Sequence, residues 1–435
     1  MQVAGVDIGT TTISAVVLDP EKQTVLDART IPNGSFLPTD HPWERIQDPA
    51  ILMDKAKTVL DEFLISYPGI SAIGLTGQMH GIVYTDQEGK AVSPLFTWQD
   101  QRGNLPDDQG RSLTERILEK TGLHTATGFG LVTHLYQKNA GEVPQQAVCI
   151  CTIPDYLGMV LTGRKKPLIH ISMAASLGFF DGKTRTFLRD ALSRMGENGE
   201  ILPDVTGKFE AIGEYKGLPV TVAVGDNQAS FLGAVGFQEN TLLLNVGTGG
   251  QISVLSSEFF ETEGIEARPL TEDTYLLAGS ALCGGRAYAI LEKFFRRYLE
   301  EAGYQADAQF DVLNRLAEKG RVLADKDPLR VDTRFQGTRS MPDLRGSILN
   351  ISEDNFTPES FSYGVLEGMA QELADLFEKI RKGTGIQAKH LVASGNGVRR
   401  NKILQEIFCE KFRAELSLAK YQEEAACGAA ISSKM

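Results

Sequence analysis

Two stretches of the chain carry the same alternation of apolar and polar positions. Residues 3–18 (VAGVDIGTTTISAVVL) and 242–255 (LLLNVGTGGQISVL) each set period-2 apolar residues on both sides of a glycine-rich turn, the pattern of strand, tight turn and second strand. Aligning them pairs Asp7 with Asn245, Gly9 with Gly247 and Thr10 with Thr248. Glycine relieves the steric limit at such a turn, and the β-branched flanks favour extended backbone. The repeat predicts two lobes, each opening on a hairpin, divided near Phe237 into residues 1–236 and 237–435. Between the hairpins the spacing becomes helical. Ile51, Leu52, Val59, Leu60, Phe63 and Leu64 line one face of a helix predicted over 50–65, followed by a short buried strand over 70–75. Further on, Val365, Leu366, Met369, Leu373, Leu376, Phe377 and Ile380 form a second stripe before the apolar run 391–393 and Ser394-Gly395-Asn396-Gly397. Helices alternating with strands predict an α/β protein with a mixed β-sheet flanked by helices in each lobe. No low-complexity linker separates the lobes, which predicts that they meet along a cleft.

Composition narrows the function classes. The chain has 435 residues, 42% of them hydrophobic and 23% charged, a globular composition rather than a disordered or fibrous one. With 44 Lys and Arg against 56 Asp and Glu the net charge is -12, which disfavours nucleic acid or an anionic membrane as partner and points to a small molecule. There is no run of about 18 apolar residues and no basic segment followed by a hydrophobic core at the start, so a cytoplasmic location is expected. The five cysteines, Cys149, Cys151, Cys283, Cys409 and Cys427, form no repeated C-x-x-C spacing and read as reduced, mostly buried thiols. No two of the six histidines stand at i, i+4, so a structural metal is not expected.

The sequence has no P-loop and no G-x-G-x-x-G opening a helix, so a phosphate site must be built in another way. The turns Gly9-Thr10-Thr11 and Gly247-Thr248-Gly249-Gly250 offer backbone N–H groups and hydroxyls to one concavity, which suits a polyphosphate. Asp7 beside the first turn could hold Mg²⁺ through water. Asp226 follows the apolar run 220–224 and Gly225, and two roles are open to it. It could accept a proton from a substrate hydroxyl, or cap the helix predicted over 228–234.

The segment Asp7-Ile8-Gly9-Thr10-Thr11, the Gly-Thr-Gly turn at 247–249 and Ser394-Gly395-Asn396-Gly397 resemble the three nucleotide-binding segments of the actin, Hsp70 and sugar kinase superfamily. Within it the chain resembles the FGGY carbohydrate kinases, through 76–81 (TGQMHG), 97–102 (TWQDQR), 225–229 (GDNQA) and 424–430 (EAACGAA). The resemblance implies a two-lobed actin-like ATPase (ribonuclease H-like) fold with the active site in the interdomain cleft. Residues 1–236 would bind sugar and carry catalysis, and 237–435 would bind nucleotide. It implies ATP-dependent phosphorylation of a terminal ketose hydroxyl, with Mg²⁺, on closure of the domains. Asp226 would be the general base and, with Asp7, would stand near the metal. Gln78, Met79, His80, Trp98, Asp100, Asp226 and Asn227 would meet the sugar, Trp98 as an apolar wall and Asp100 as an acceptor of two hydroxyl bonds. The competing account of that segment is a core Trp beside a surface Asp–Arg ion pair. Thr10, Thr11, Gly247, Thr248, Gly249, Gly284, Gly285, Gly395, Asn396 and Asn401 would meet the nucleotide. Asn396, Arg399 and Arg400 depart from the small residues usual in the family there.

Residues 126–130 (ATGFG), 153–157 (IPDYL), 161–163 (LTG), 173–181 (MAASLGFFD) and 202–205 (LPDV) match best the branch that phosphorylates sedoheptulose, a seven-carbon ketose. The xylulose branch shares Gln-Met-His-Gly and Gly-Asp-Asn and is the alternative. A more distant alternative is a nucleotide-driven interaction protein of the actin or Hsp70 type, against which stand the polyol-suited segments 76–81 and 97–102. The expected partner is a small-molecule sugar, with no nucleic acid and no membrane, and a homodimer is left open.

Overall fold

A computed structural model describes residues 1–305 and 307–435. Two compact units emerge: Met1–Gly236 with Arg268–Thr274 and Tyr421–Met435, and Phe237–Ala267 with Tyr275–Lys420. In the first, the predicted hairpin is Gln2–Ile8 against Thr12–Asp19, antiparallel with Ile8 opposite Ile13. Thr24–Pro32 extends it on one side and Ile70–Gly77 lies parallel to Gln2–Ile8 on the other. Leu218–Thr221 and Val224–Gly225 both pair in parallel with Ile70–Gly77, so the sheet is mixed. One of its helices, Pro49–Ser66, starts where Asp48 accepts a bond from the Ala50 N–H, with Pro49 in the first turn. It buries Leu52, Met53, Ala56, Val59, Leu60 and Phe63. Ile51, expected on that face, is instead exposed, because its neighbours Leu52 and Met53 take the inward positions and the stripe is only one face wide.

The second unit repeats the plan. Thr241–Val246 pairs antiparallel with Gly250–Ser256, and His390–Ser394 runs parallel beside it with Leu391 opposite Leu242. The Pro358–Thr384 helix packs on this sheet through Val365, Leu366, Met369, Leu373, Phe377 and Ile380, all in one core. The fold class read from the repeat therefore holds: mixed sheets flanked by helices. Cys149, Cys151, Cys283 and Cys427 are buried, Cys409 is half-buried, and all five are free thiols. No helix among the described residues is long and apolar enough to cross a membrane.

A buried polar chain crosses the first unit's second core. Tyr84 and His134 Nδ1 are 2.9 Å apart, and His134 Nε2 lies 3.0 Å from Glu197, which also accepts from Lys138 at 2.7 Å and from the Gly199 N–H at 2.8 Å. Burial alone would raise the Glu197 carboxyl, but the bonds from Lys138, His134 and Gly199 outweigh it and hold it at about 2. Burial also lowers His134. The ionised Glu197 stabilises the fold above its unfolded range and ceases to do so as pH falls toward 2, while an unfolded His134 takes up a proton that the folded one refuses. Both make acidification destabilising. Urea midpoints of Glu197→Gln should lie below wild type at pH 7, and the gap should narrow as pH falls from about 4 toward 2; a gap that widens over that range contradicts the assignment.

Candidate active site

The Val224–Gly225 strand ends where Thr76 Oγ1 donates to the Val224 carbonyl at 2.7 Å and the Gly225 N–H donates to Ser172 Oγ at 2.9 Å. The chain then turns into the helix Asp226–Ala234, whose N-cap is Gly225. Asp226 is therefore not the N-cap residue itself. It stands one residue inside the helix, and its carboxylate accepts from Asn227 Nδ2 at 3.1 Å and from the Asn227 N–H of the first turn. Burial lifts its pKa to about 6, against the pull of the Asn227 N–H and the Arg268 guanidinium. Asp7, near the end of Gln2–Ile8, is lifted to about 7 by burial and then by the charges of Asp226 and Glu423. Its Oδ1 is buried and accepts no hydrogen bond among the described residues.

The expected sugar residues gather beside these carboxylates. Gln78 continues the sheet, its N–H donating to the Ile8 carbonyl at 2.8 Å, and is buried. Met79 is buried, and its sulfur lies 3.7 Å from Asn227 Nδ2. His80 has left-handed backbone, φ 71°, held by its N–H to Ser176 Oγ at 3.0 Å. Its ring stacks on Phe129 at 4.7 Å. Nδ1 sits 2.7 Å from the Ser176 carbonyl, which can only accept, so the neutral ring carries its proton there. Trp98 is 45% exposed and donates from Nε1 to Thr10 Oγ1 at 2.9 Å.

Asp100 is placed differently. It has no exposed surface. One oxygen accepts the Arg102 N–H and Nε–H at 3.0 and 2.7 Å, and the other accepts the Arg45 N–H and Arg102 Nη2 at 3.0 Å each. All four acceptor positions of a carboxylate are filled, so none is left for a polyol hydroxyl. Of the competing account only the Asp–Arg pair is found, buried rather than at the surface and beside an exposed Trp98 rather than a core one: Arg102, 2% exposed, also donates to Gln137 and Glu44 and lies over the Phe96 ring.

In the second unit Gly247 and Thr248 are exposed at the hairpin turn. The Gly285–Glu301 helix begins on that turn, with the Gly285 N–H donating to Gly247 O at 2.9 Å and the Arg286 N–H to Thr248 O at 3.0 Å. A Cβ on Gly284 would meet Gly249 O at 2.2 Å, and one on Gly285 would meet Gly247 O at 2.5 Å, so this approach requires both glycines. Gly395, at φ 88°, passes Val246 O as closely, and exposed Asn396 opens a short helix, Asn396–Arg399. A longer helix follows, Lys402–Phe412, capped by Asn401, whose Oδ1 accepts from the Leu404 N–H at 3.0 Å. Asn401 is buried and its Nδ2 donates to Asn314 at 3.1 Å, so its amide faces the protein rather than the turn.

The FGGY family of carbohydrate kinases matches this chain through its N-terminal domain over residues 2–233 and its C-terminal domain over residues 242–433. The chain belongs to that family. Sedoheptulokinase from Mus musculus is 26% identical over 98% of this chain and 96% of its own length. A xylulose kinase from Staphylococcus epidermidis is 25% identical over 99% and 86%. The crystal structure of xylulose kinase from Rhodospirillum rubrum superposes with a TM-score of 0.81 at 23% identity, covering 100% of this chain and 90% of that one. This FGGY kinase thus has the actin-like two-domain fold and is a sugar phosphotransferase rather than an interaction protein of the actin or Hsp70 type.

Some side chains around the kinase's first-unit turns were not singled out from sequence. Gln47, with no exposed surface, and Asn33, 1% exposed, both donate to the Thr10 carbonyl. Ser176 holds His80, and Glu423 adds its charge to Asp7. Asn33-Gly34 carries a turn signal, but nothing in the local sequence tells which carbonyl a buried amide will reach.

Proposed function

We propose that this kinase transfers the γ-phosphoryl group of ATP to the terminal hydroxyl of sedoheptulose, giving sedoheptulose 7-phosphate and ADP. The attacking oxygen forms its bond to γ-phosphorus, the bond from γ-phosphorus to the β,γ-bridging oxygen breaks, and Asp226 takes the hydroxyl proton. One observation carries this reading. The Asp226 carboxylate stands at a strand-to-helix junction, beside Asn227 and the Gln78–His80 turn. Its elevated pKa suits a base working near neutrality. The first unit would receive the sugar at Gln78, Met79, His80, Trp98 and Asn227. The second would receive the nucleotide at Gly247–Gly249, Gly284–Gly285 and Gly395–Asn396, with Thr10 and Thr11 of the first unit meeting phosphate.

Mg²⁺ fits the residues present. Asp7 offers a buried carboxylate oxygen with no hydrogen bond, and the repulsion it feels from Asp226 and Glu423 would be relieved by a cation. No three His, Cys, Asp or Glu side chains converge on a metal position among the described residues, consistent with a hard cation that keeps several waters. Mg²⁺ would be held at Asp7 through water, near Asp226, and would supply charge neutralisation for the transferring phosphoryl group.

Sedoheptulose is favoured by the segments 126–130, 153–157, 173–181 and 202–205, and by the likeness to mouse sedoheptulokinase over nearly its full length. Xylulose is the second reading, favoured by the Staphylococcus epidermidis relative of nearly equal identity. A coupled ADP-release assay across sedoheptulose, xylulose, ribulose, fructose and glycerol separates them. We expect kcat/KM for sedoheptulose to exceed that for xylulose by about tenfold or more, a difference of one or two hydrogen bonds. A tenfold preference for xylulose would transfer the assignment, and no sugar-stimulated ADP release would end it.

A further inference from the structure

We propose that Gln47 is a positioning residue that ties the sugar-side turn at Gln78 to the phosphate-side turn at Thr10. The inference rests on the roles given above to those two turns. Gln47 touches neither reacting group, and its place in the backbone is rigid. It pairs with Leu95 across a short antiparallel ladder, bridges to Phe36, and precedes the Asp48 cap and the Pro49–Ser66 helix.

Its side chain closes a directional circuit. The Thr10 carbonyl can only accept, so the atom facing it at 2.8 Å is Gln47 Nε2. Gln47 Oε1 must then accept, and does so from Gln78 Nε2 at 2.8 Å. That leaves Gln78 Oε1 to accept from Thr10 Oγ1 at 3.4 Å, the loosest link. The Thr10 hydrogen is available for it because Thr10 Oγ1 already accepts from Trp98 Nε1. The donors thus run from Trp98 to Thr10 to Gln78 to Gln47 and back to Thr10. Asn33 Nδ2 braces the same turn at the Gly9 and Thr10 carbonyls, 2.9 and 2.7 Å away. Each group has one satisfied orientation, so a displacement at Gln78 strains the bond that holds Thr10 in place. A sugar hydroxyl engaging Gln78 or Trp98 therefore reaches the phosphate turn through this circuit.

Gln47→Leu leaves an apolar side chain of similar bulk, one atom shorter, and removes both bonds. We expect it to raise the KM for MgATP about tenfold and the sugar KM about threefold, the size of effect that follows when the Thr10 carbonyl loses one of its two donors and the buried Gln78 amide its acceptor. A merely structural role would lower the active fraction and leave both KM values alone. Gln47→Glu separates the arms, because it can still accept from Gln78 but cannot donate to Thr10. It should raise the MgATP KM and leave the sugar KM within about twofold. The chain has two tryptophans, so 5-fluorotryptophan labelling gives two fluorine lines, assigned with Trp43→Phe. Gln47→Leu should move the Trp98 line more than the Trp43 line in the ligand-free protein. Unchanged KM values, a loss confined to kcat, or an unmoved Trp98 line would each overturn the inference. If Gln47→Leu does not fold, Gln47→Glu carries both measurements. The fluorine shift needs no turnover, so failure of the kinase reading, seen as an inactive wild type, is distinguishable from failure of this circuit.

Discussion

Asp226→Asn lowers sugar-dependent ADP release at saturating substrates by about 10²- to 10⁴-fold, the range set by loss of a positioned general base. Asparagine is nearly isosteric with aspartate and can still accept from Asn227 Nδ2, so the geometry of the helix start is kept. The loss should therefore fall in kcat, with both KM values within a few-fold. Stability separates this from a structural role. Burial raises the Asp226 carboxyl to about 6, so at neutral pH the folded chain holds a charge that its surroundings disfavour. Removing that charge should leave the ligand-free variant at least as resistant to urea as wild type. A helix cap would behave in the opposite way, since its loss typically costs about 1 kcal/mol. A variant with turnover near wild type, or one that is inactive because it is less stable, would remove Asp226 from the base position.

The repeated hairpin was legible because its signals are local. Alternation, the Gly-Thr turn and β-branched flanks all act within a few residues, and they predicted both Gln2–Asp19 and Thr241–Ser256. Asp226 was narrowed to two roles for the same reason, and that Gly225 rather than Asp226 is the N-cap residue needed the folded chain. The side chains of Asp100 and Asn401 were not legible. Whether a polar group meets ligand or protein depends on partners distant in sequence: Arg45 lies 55 residues from Asp100 and Asn314 lies 87 from Asn401. Arg102 is nearer, but that its guanidinium would be sealed with Asp100 in the core follows from Glu44, Phe96 and Gln137 closing over it. Gln47 escaped for a related reason. Its dipeptide with Asp48 reads as the approach to a helix, and only the packed turns show which carbonyl its amide serves. The family resemblance pointed to the segments, and three-dimensional bonding shows which of their side chains are already taken up by the protein's own frame.

Gly428→Ala should be among the most damaging single methyl additions in the first unit. The helices Asp226–Ala234 and Glu424–Ser432 meet with almost no side chain between them. A Cβ on Gly428 would lie 1.7 Å from the Ala229 carbonyl oxygen, and one on Gly233 would lie 2.0 Å from that of Glu424. These are backbone atoms, so no rotamer change makes room and one helix must move bodily. The other face of the closing helix is as tight, because Gly5 and Gly74 pass the Ala426 and Ala429 carbonyls at comparable distance. The closing helix is thus wedged between sheet and helix and has no direction of easy retreat. Overpacking a well-fitted core commonly costs about 1–3 kcal/mol, and this site belongs at or above the top of that range. The displacement falls on the helix that begins with Asp226, so activity should suffer beyond the loss of stability. We expect a lower urea midpoint for the transition of the first unit, and kcat reduced about tenfold or more in the fraction that remains folded, since small misplacements of reacting groups are expensive. A variant that keeps both the midpoint and kcat of wild type would show that the two helices are not packed backbone to backbone at Gly428.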